Sequence, residues 1–118
     1  MTPRTVLLCL LVIPSIGLAQ TEFELKPSQS MLMTGKGPGQ DGTINPYAGE
    51  DCYAIVENLG SSELSVRIQK QGELISTFRL LGGNTFKFKL RKDQELYLDG
   101  NDTASSMAKV SYEKLEPK

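Results

Sequence analysis

Hydrophobic and polar residues alternate along several stretches of the chain, most clearly in ELSVRIQK (residues 63–70) and NTFKFKLRK (residues 84–92). In the first stretch Leu64, Val66 and Ile68 alternate with polar residues, and in the second stretch Phe86, Phe88 and Leu90 do so. A period of two is typical of antiparallel strands that turn an apolar face toward a core and a charged face toward water. Both stretches are therefore predicted to be half-buried strands.

Six further runs have the composition of strands, namely EFEL, SMLM, CYAIVEN, ELISTFRLL, QELYL and AKVSYEKL. Gly, Asn and Asp residues separate the runs, as turns require. Strand-like runs recur about every ten residues, and no window of a dozen residues has the apolar stripe of a helix. The pattern predicts an all-β fold, a small antiparallel β-sandwich that is immunoglobulin-like or jelly-roll-like, with a central β-meander over residues 51–98.

Residues 1–19 have the three-part pattern of a secretory signal peptide. Its parts are Arg4, the apolar run Val6–Ile13, and Gly17 and Ala19 at the −3 and −1 positions before Gln20. The apolar run is eight residues long, whereas a helix needs about 20 to span a bilayer, so we expect no transmembrane span. The alternative is a short buried N-terminal helix. We expect a cleaved signal peptide over 1–19, a secreted or periplasmic protein, and a single domain over 20–118.

The segment GPGQDG, residues 37–42, matches the glycine spacing of a dinucleotide-binding loop. Such a loop must lead into a helix whose N-terminus receives the pyrophosphate, and Pro46 and Gly49 would interrupt that helix. No G-K-[ST] closes the segment either, as a phosphate-binding P-loop would require. We therefore expect no bound nucleotide, and interpret residues 34–50 as a long Gly-rich loop at the surface.

Candidate catalytic residues are few. The chain has no histidine, which removes the usual general base, the commonest zinc ligand and the Ser-His and Cys-His pairs. Cys52 is the single cysteine after residue 19, and its position in a strand-like run predicts a buried thiol, with pairing between chains as the alternative. Loop carboxylates such as Asp99 and Asp102 could serve a small hydrolase, although turns commonly contain such acids. We expect a non-catalytic protein without a cofactor.

The segment DGNDT contains three oxygen donors of the kind that calcium takes, Asp99, Asn101 and Asp102. Calcium usually takes six to eight ligands, and the spacing is not that of an EF-hand loop. Asp and Asn also favour turns through hydrogen bonds to nearby backbone. A structural turn is the favoured interpretation, and calcium binding is the alternative.

Basic residues are concentrated between residues 67 and 92, where seven basic residues and one acid give a net charge of +6. In the alternation, five of them point outward on three consecutive strands: Arg67, Arg79, Lys87, Lys89 and Arg91. If those strands are neighbours in one sheet, the five share a face that would attract an anionic glycan or an acidic protein surface. A solvated outer face is the alternative. Nucleic acid is disfavoured for an exported protein, and the alternation places no aromatic platform between the charges on this outward face.

Two consecutive stretches, VENLGSSELSVRI and GELISTFRLLGGNTFKFKL, resemble the immunoglobulin-like β-sandwich modules of bacterial secreted proteins over about residues 54–90. Asn58 and Gly60 match the turn after one strand, and Gly83 matches the glycine before a later alternating strand. The paired cysteines and buried tryptophan of antibody-type domains are missing, so the resemblance concerns architecture. It implies an interaction or structural role in adhesion or envelope assembly, with a protein or an anionic glycan at the cell envelope as partner. The sequence leaves the oligomeric state open.

Overall fold

The computed structural model describes residues 20–37 and 39–115, and the predicted signal peptide lies outside them. The described residues contain eight strands and no helix, and each of the eight runs predicted from the sequence overlaps with one of the strands. The strands are β1 (Gln20–Leu25), β2 (Ser30–Thr34), β3 (Cys52–Asn58), β4 (Leu64–Lys70), β5 (Glu73–Leu80), β6 (Thr85–Leu90), β7 (Glu95–Asp99) and β8 (Ser106–Lys114). Within this part of the chain, no helix has the length and apolar character needed to cross a membrane.

The strands form two four-stranded sheets. Sheet A has the order β1-β8-β3-β6, and sheet B has the order β2-β7-β4-β5. All neighbouring strands are antiparallel. The predicted all-β antiparallel sandwich is therefore confirmed.

The predicted central β-meander is wrong. Between residues 51 and 98 the chain changes sheet after β3, after β5 and after β6, so that β4 and β5 are the one pair of successive strands that are hydrogen-bonded neighbours. Each of these strands has one apolar face, and that face can be buried from either sheet. The alternation therefore predicts which side chains point inward without specifying the sheet in which a strand lies.

The core lies between the two sheets and consists of the inward side chains of all eight strands. Val56 of β3, Val66 of β4, Leu98 of β7 and Val110 of β8 are each no more than 1% exposed. Packed sheets lie about 10 Å apart, so one layer of interdigitating side chains from each sheet fills the interior.

The connection between β2 and β3 folds back along β2. The backbone N–H groups of Gly42 and Thr43 donate to the carbonyls of Leu32 and Met33 at 2.8 and 3.1 Å. Thr43 is buried, and its hydroxyl contacts that of Tyr112 on β8. The Gly-rich segment thus closes one end of the sandwich.

Candidate interaction surface

The core is open to solvent where β5 and β6 lie at the edges of the two sheets. Phe78 of β5 pairs with Val66, and Phe86 of β6 pairs with Val56, so both phenylalanines lie on inner faces. Phe88 is 4% exposed, whereas Phe78 is 39% and Phe86 is 50% exposed. The three rings pack together with centroids 4.8 to 5.9 Å apart. Two core phenylalanines are therefore only partly covered by the protein itself.

Further apolar side chains are exposed on the same strands and the turn that joins them. Opposite Ile68 and Gln69 of β4 the strand β5 has one extra residue, Ile75, and this bulge shifts the register so that Leu74 pairs with the outward Gln69. Leu74, which the alternation places inward, is accordingly 59% exposed. We use the name β5–β6 side for the surface formed by Leu74, Ile75, Phe78, Leu81 and Phe86, all of which are more than a third exposed. Clustered exposed apolar side chains are typical of interaction sites.

The two edge strands also present unpaired backbone groups. Within the described residues, β5 pairs with β4 alone and β6 pairs with β3 alone. An open strand edge offers N–H and C=O groups to another strand. Lys87 and Lys89 are exposed on the outer face of β6, beside this edge.

The five basic residues predicted to share one face are divided between the sheets. Arg67 on β4 and Arg79 on β5 belong to sheet B, whereas Lys87 and Lys89 on β6 belong to sheet A, and Arg91 directly follows β6. The expected single basic face is not formed, because β5 and β6 lie in different sheets. Whether these residues bind a polyanion stays a prediction.

Acidic side chains accompany most of the five. Arg67 and Arg79 each donate two hydrogen bonds to one carboxylate, at 2.8–2.9 Å to Asp99 and at 2.8–3.1 Å to Glu63. The guanidinium of Arg79 lowers the pKa of Glu63 through its hydrogen bonds, and that of Arg67 does the same for Asp99. Two further ion pairs are Lys87 with Glu113 at 3.0 Å and Arg91 with Asp51 at 3.7 Å. Lys89 makes no ion pair with any residue that the structure describes.

The candidate calcium donors are engaged in hydrogen bonds within the protein. Asp99 accepts from Arg67 and from the hydroxyl of Ser30. The side chain of Asn101 accepts from the backbone N–H and the hydroxyl of Thr103, both at 2.8 Å, as in a local turn. In the described part of the chain, no three His, Cys, Asp or Glu side chains are grouped as metal ligands would be.

Cys52 lies near a cavity of about 320 Å³ beneath the β2–β3 connection. Its side chain is buried, as predicted, and the amide of Asn45 donates to the sulfur at 3.6 Å. Burial raises the pKa of the Cys52 thiol, an effect that the Asn45 hydrogen bond partly opposes. The thiol is therefore protonated at neutral pH, and a protonated thiol is a weak nucleophile.

No protein-family profile and no curated protein matches the chain. Solved structures do match its fold. The crystal structure of PirA superposes with a TM-score of 0.60 at 13% identity, over 79% of this chain and 92% of that one.

Two enzymes are also similar in fold, both at 14% identity and over 88% of this chain. They are peruvianin-I, a cysteine peptidase from Thevetia peruviana latex, with a TM-score of 0.53, and an oxalate oxidase with a TM-score of 0.54. This chain spans about half the length of each, 55% and 45%. At these identities the likeness concerns the fold alone, as fold does not imply function.

Proposed function

We propose that this protein is a non-catalytic interaction module that engages a protein partner through the β5–β6 side. The observation that carries the proposal is the exposure of Phe78 and Phe86, which belong by register to the core and are 39% and 50% uncovered. A partner that covered these rings would remove apolar area from water, the main favourable contribution in protein association. Aromatic residues are also enriched at interaction surfaces.

The proposed architecture is a jelly roll, the second of the two finer alternatives considered from the sequence. Jelly rolls have eight strands in two sheets, and the orders β1-β8-β3-β6 and β2-β7-β4-β5 agree with that description. An immunoglobulin-like constant domain divides seven strands into sheets of four and three. The immunoglobulin-like resemblance therefore lends the adhesion or envelope-assembly role little support, and the interaction proposed here rests on the exposed phenylalanines instead.

We propose that the protein is not catalytic because of the burial, pKa and hydrogen bonds of its candidate catalytic side chains. The Cys52 thiol is buried with a raised pKa. Of the two candidate loop acids, Asp99 is held by Arg67, which lowers the pKa of its carboxyl, and Asp102 accepts from the hydroxyl of Ser28 at 3.3 Å. A lowered pKa makes the Asp99 carboxylate a weaker general base, so the hydrolase alternative has little support.

Export is proposed from residues 1–19, and a partner at the cell envelope follows from it. N-terminal sequencing of the secreted or periplasmic protein is expected to begin at or close to Gln20. A protein that begins at Met1 would contradict export by a cleaved signal peptide.

The interaction itself is tested by placing a charge on the β5–β6 side. We expect Phe86→Lys to lose the proteins that the wild type retains from an envelope extract of its own source organism. The matched control is Ile44→Lys, because Ile44 is an exposed apolar residue outside this side. Circular dichroism checks that both variants are folded. Retention of the same proteins by the wild type and Phe86→Lys would contradict the proposal.

A further inference from the structure

We infer that the partner at β6 is a second copy of this chain, and that the outer edge of β6 in one copy pairs with the outer edge of β1 in the next. Among the described residues, no strand pairs with either of these two edges. This inference rests on the proposed function, since it names an occupant for part of the β5–β6 side. It follows from the strand directions, the charges and the apolar pattern of the two edges.

The strand directions of sheet A permit this pairing without rearrangement. β1 and β6 are the two edges of the sheet, and every neighbouring pair between them is antiparallel. Three antiparallel steps separate the edges, so β1 and β6 run in opposite directions. A second copy displaced sideways along the sheet therefore brings its β1 antiparallel to the β6 of the first, with inner faces and outer faces continuous.

The charges on the two edges are complementary. Glu22 and Glu24 are exposed on the outer face of β1, and Lys87 and Lys89 are exposed on the outer face of β6. An antiparallel register that places Glu22 opposite Lys89 also places Glu24 opposite Lys87. Directly opposed side chains in such a ladder have Cβ atoms about 4.5–5.5 Å apart, which is within reach of an ion pair.

Three of these four charges have no ion-pair partner among the described residues of their own chain. Glu22, Glu24 and Lys89 belong to none of its ion pairs, and only Lys87 does, through Glu113. The complementary charges of a second copy would pair with them.

The inner faces of the two edges are also compatible. In the same register, Phe23 of β1 lies opposite Phe88, and Leu25 lies opposite the half-exposed Phe86. The incoming β1 strand would thus extend the apolar inner face of sheet A beside the phenylalanine that the monomer leaves uncovered.

The same charges exclude symmetric pairing of like edges. Two β6 edges would oppose lysine with lysine, and two β1 edges would oppose glutamate with glutamate, both of which are unfavourable. The contact is therefore head-to-tail, and repeated contacts of this kind produce a ring or a filament rather than a closed dimer.

Charge exchange at one opposed pair tests the inference. Sedimentation velocity at low salt is expected to show that the mass of the wild type increases with protein concentration. Lys89→Glu alone and Glu22→Lys alone should each weaken association at least several-fold. The doubly exchanged chain, Glu22→Lys with Lys89→Glu, should recover it, because the opposed charges are again complementary. Lys114→Glu, at the end of the central strand β8, is the charge-matched control and should associate as the wild type does.

A wild type that stays monomeric over the whole concentration range would overturn the inference, as would a doubly exchanged chain no better than its single variants. These failures are distinguishable from failure of the proposed function. If the wild type is monomeric but still retains other proteins, and Phe86→Lys does not, the proposed interaction module stands. Only the inference that its partner is a second copy would then be wrong.

Discussion

Arg67 of β4 and Asp99 of the neighbouring strand β7 are diagonal to each other in the ladder and are joined by two hydrogen bonds, from Nε at 2.9 Å and from Nη2 at 2.8 Å. The guanidinium also lies over the ring of Tyr97, 4.3 Å from its centroid. Both charged side chains are about a quarter exposed, so solvent screens the pair only in part. The pair stabilises the outer face of sheet B, although the sequence pattern presents Arg67 as one of five residues available to a partner.

We predict that the Arg67–Asp99 pair stabilises the fold in a pH-dependent manner. Hydrogen bonds from Arg67 lower the pKa of the Asp99 carboxyl in the folded state. The contribution of the pair to the free energy of unfolding is therefore complete above the pKa of about 3.9 that Asp99 has in the unfolded chain. This contribution is lost as the pH falls through the lower pKa of the folded state. Arg67→Gln should reduce the free energy of unfolding by about 1–2 kcal/mol at pH 7. The difference from the wild type should shrink below about pH 4.

Urea denaturation at a series of pH values measures this difference. Asp99→Asn provides the control, because an amide does not titrate and its unfolding free energy should lack this acid-dependent component. The unfolding free energies of the wild type and Arg67→Gln could instead differ by the same amount from pH 7 to about pH 3. That result would show that the ion pair is not the source of the difference.

Much of the local structure could be predicted from the sequence because alternation reports directly on burial. The inward positions of β4 are all buried, and so are Phe88 and Leu90 of β6. The pairing of strands could not be predicted in this way. β3 pairs with β8, which begins nearly fifty residues later in the chain, and no periodic pattern encodes that partner.

The candidate site was only partly accessible to sequence analysis for the same reason. The basic residues are exposed or half-exposed, as the alternation predicts, but the acids that accompany them come from distant segments, such as Glu113 for Lys87. The open β5–β6 side was missed altogether. Phe78 and Phe86 have the pattern of core residues, and their exposure depends on the position of their strands at the sheet edges.

Asn58 is predicted to be among the polar residues most important for stability. It is fully buried, and its amide donates to the carbonyls of Ser62 and Leu80 at 2.8 and 2.9 Å. It thereby joins the end of β3 in sheet A to the end of β5 in sheet B. Asn58→Ala should cost about 2–4 kcal/mol in unfolding free energy, because two carbonyls lose their donor. Asn84→Ala, at an exposed position in the turn between β5 and β6, should cost less than about 0.5 kcal/mol. Equal effects in thermal denaturation would contradict this role.

Tyr112 and Thr43 are predicted to contribute to stability as a connected pair. The hydroxyl of Thr43 donates to the carbonyl of Met33 at 2.7 Å, so the hydroxyl of Tyr112 must donate to Thr43. Tyr112→Phe should cost about 1 kcal/mol. Thr43→Val should cost more, because it leaves the buried hydroxyl of Tyr112 without a partner and leaves the carbonyl of Met33 with the backbone N–H of Thr43 as its donor.

The same pair predicts a loss of stability at alkaline pH. Burial raises the pKa of Tyr112, which favours its protonated form in the folded state. The contribution is therefore complete below the unfolded pKa of about 10 and is lost as the pH rises above it. Melting temperatures between pH 9 and 11 should fall more steeply for the wild type than for Tyr112→Phe. Parallel curves would show that Tyr112 is not responsible.

Cys52 is predicted to be unreactive in the folded protein. Its side chain is 1% exposed, and burial raises the pKa of the thiol. Ellman's reagent at pH 8 should therefore react with the denatured protein and not with the native one, and non-reducing electrophoresis should show a monomer. Rapid labelling of the native protein, or a covalent dimer that disappears in Cys52→Ser, would contradict burial.

The protein should be retained only weakly on heparin, because the five basic residues do not share one face and most of them are paired with acids. Four of them are paired with Asp99, Glu63, Glu113 or Asp51, and Lys89 alone would contribute little at physiological salt, where exposed charges are screened beyond about 8 Å. Wild type and Lys87→Glu/Lys89→Glu should elute from a heparin column at similar, low salt concentrations. Lys26→Glu/Lys114→Glu controls for the change in net charge at other exposed positions. Strong retention of the wild type that is lost in Lys87→Glu/Lys89→Glu and kept in the control would instead establish the outer face of β6 as a polyanion site.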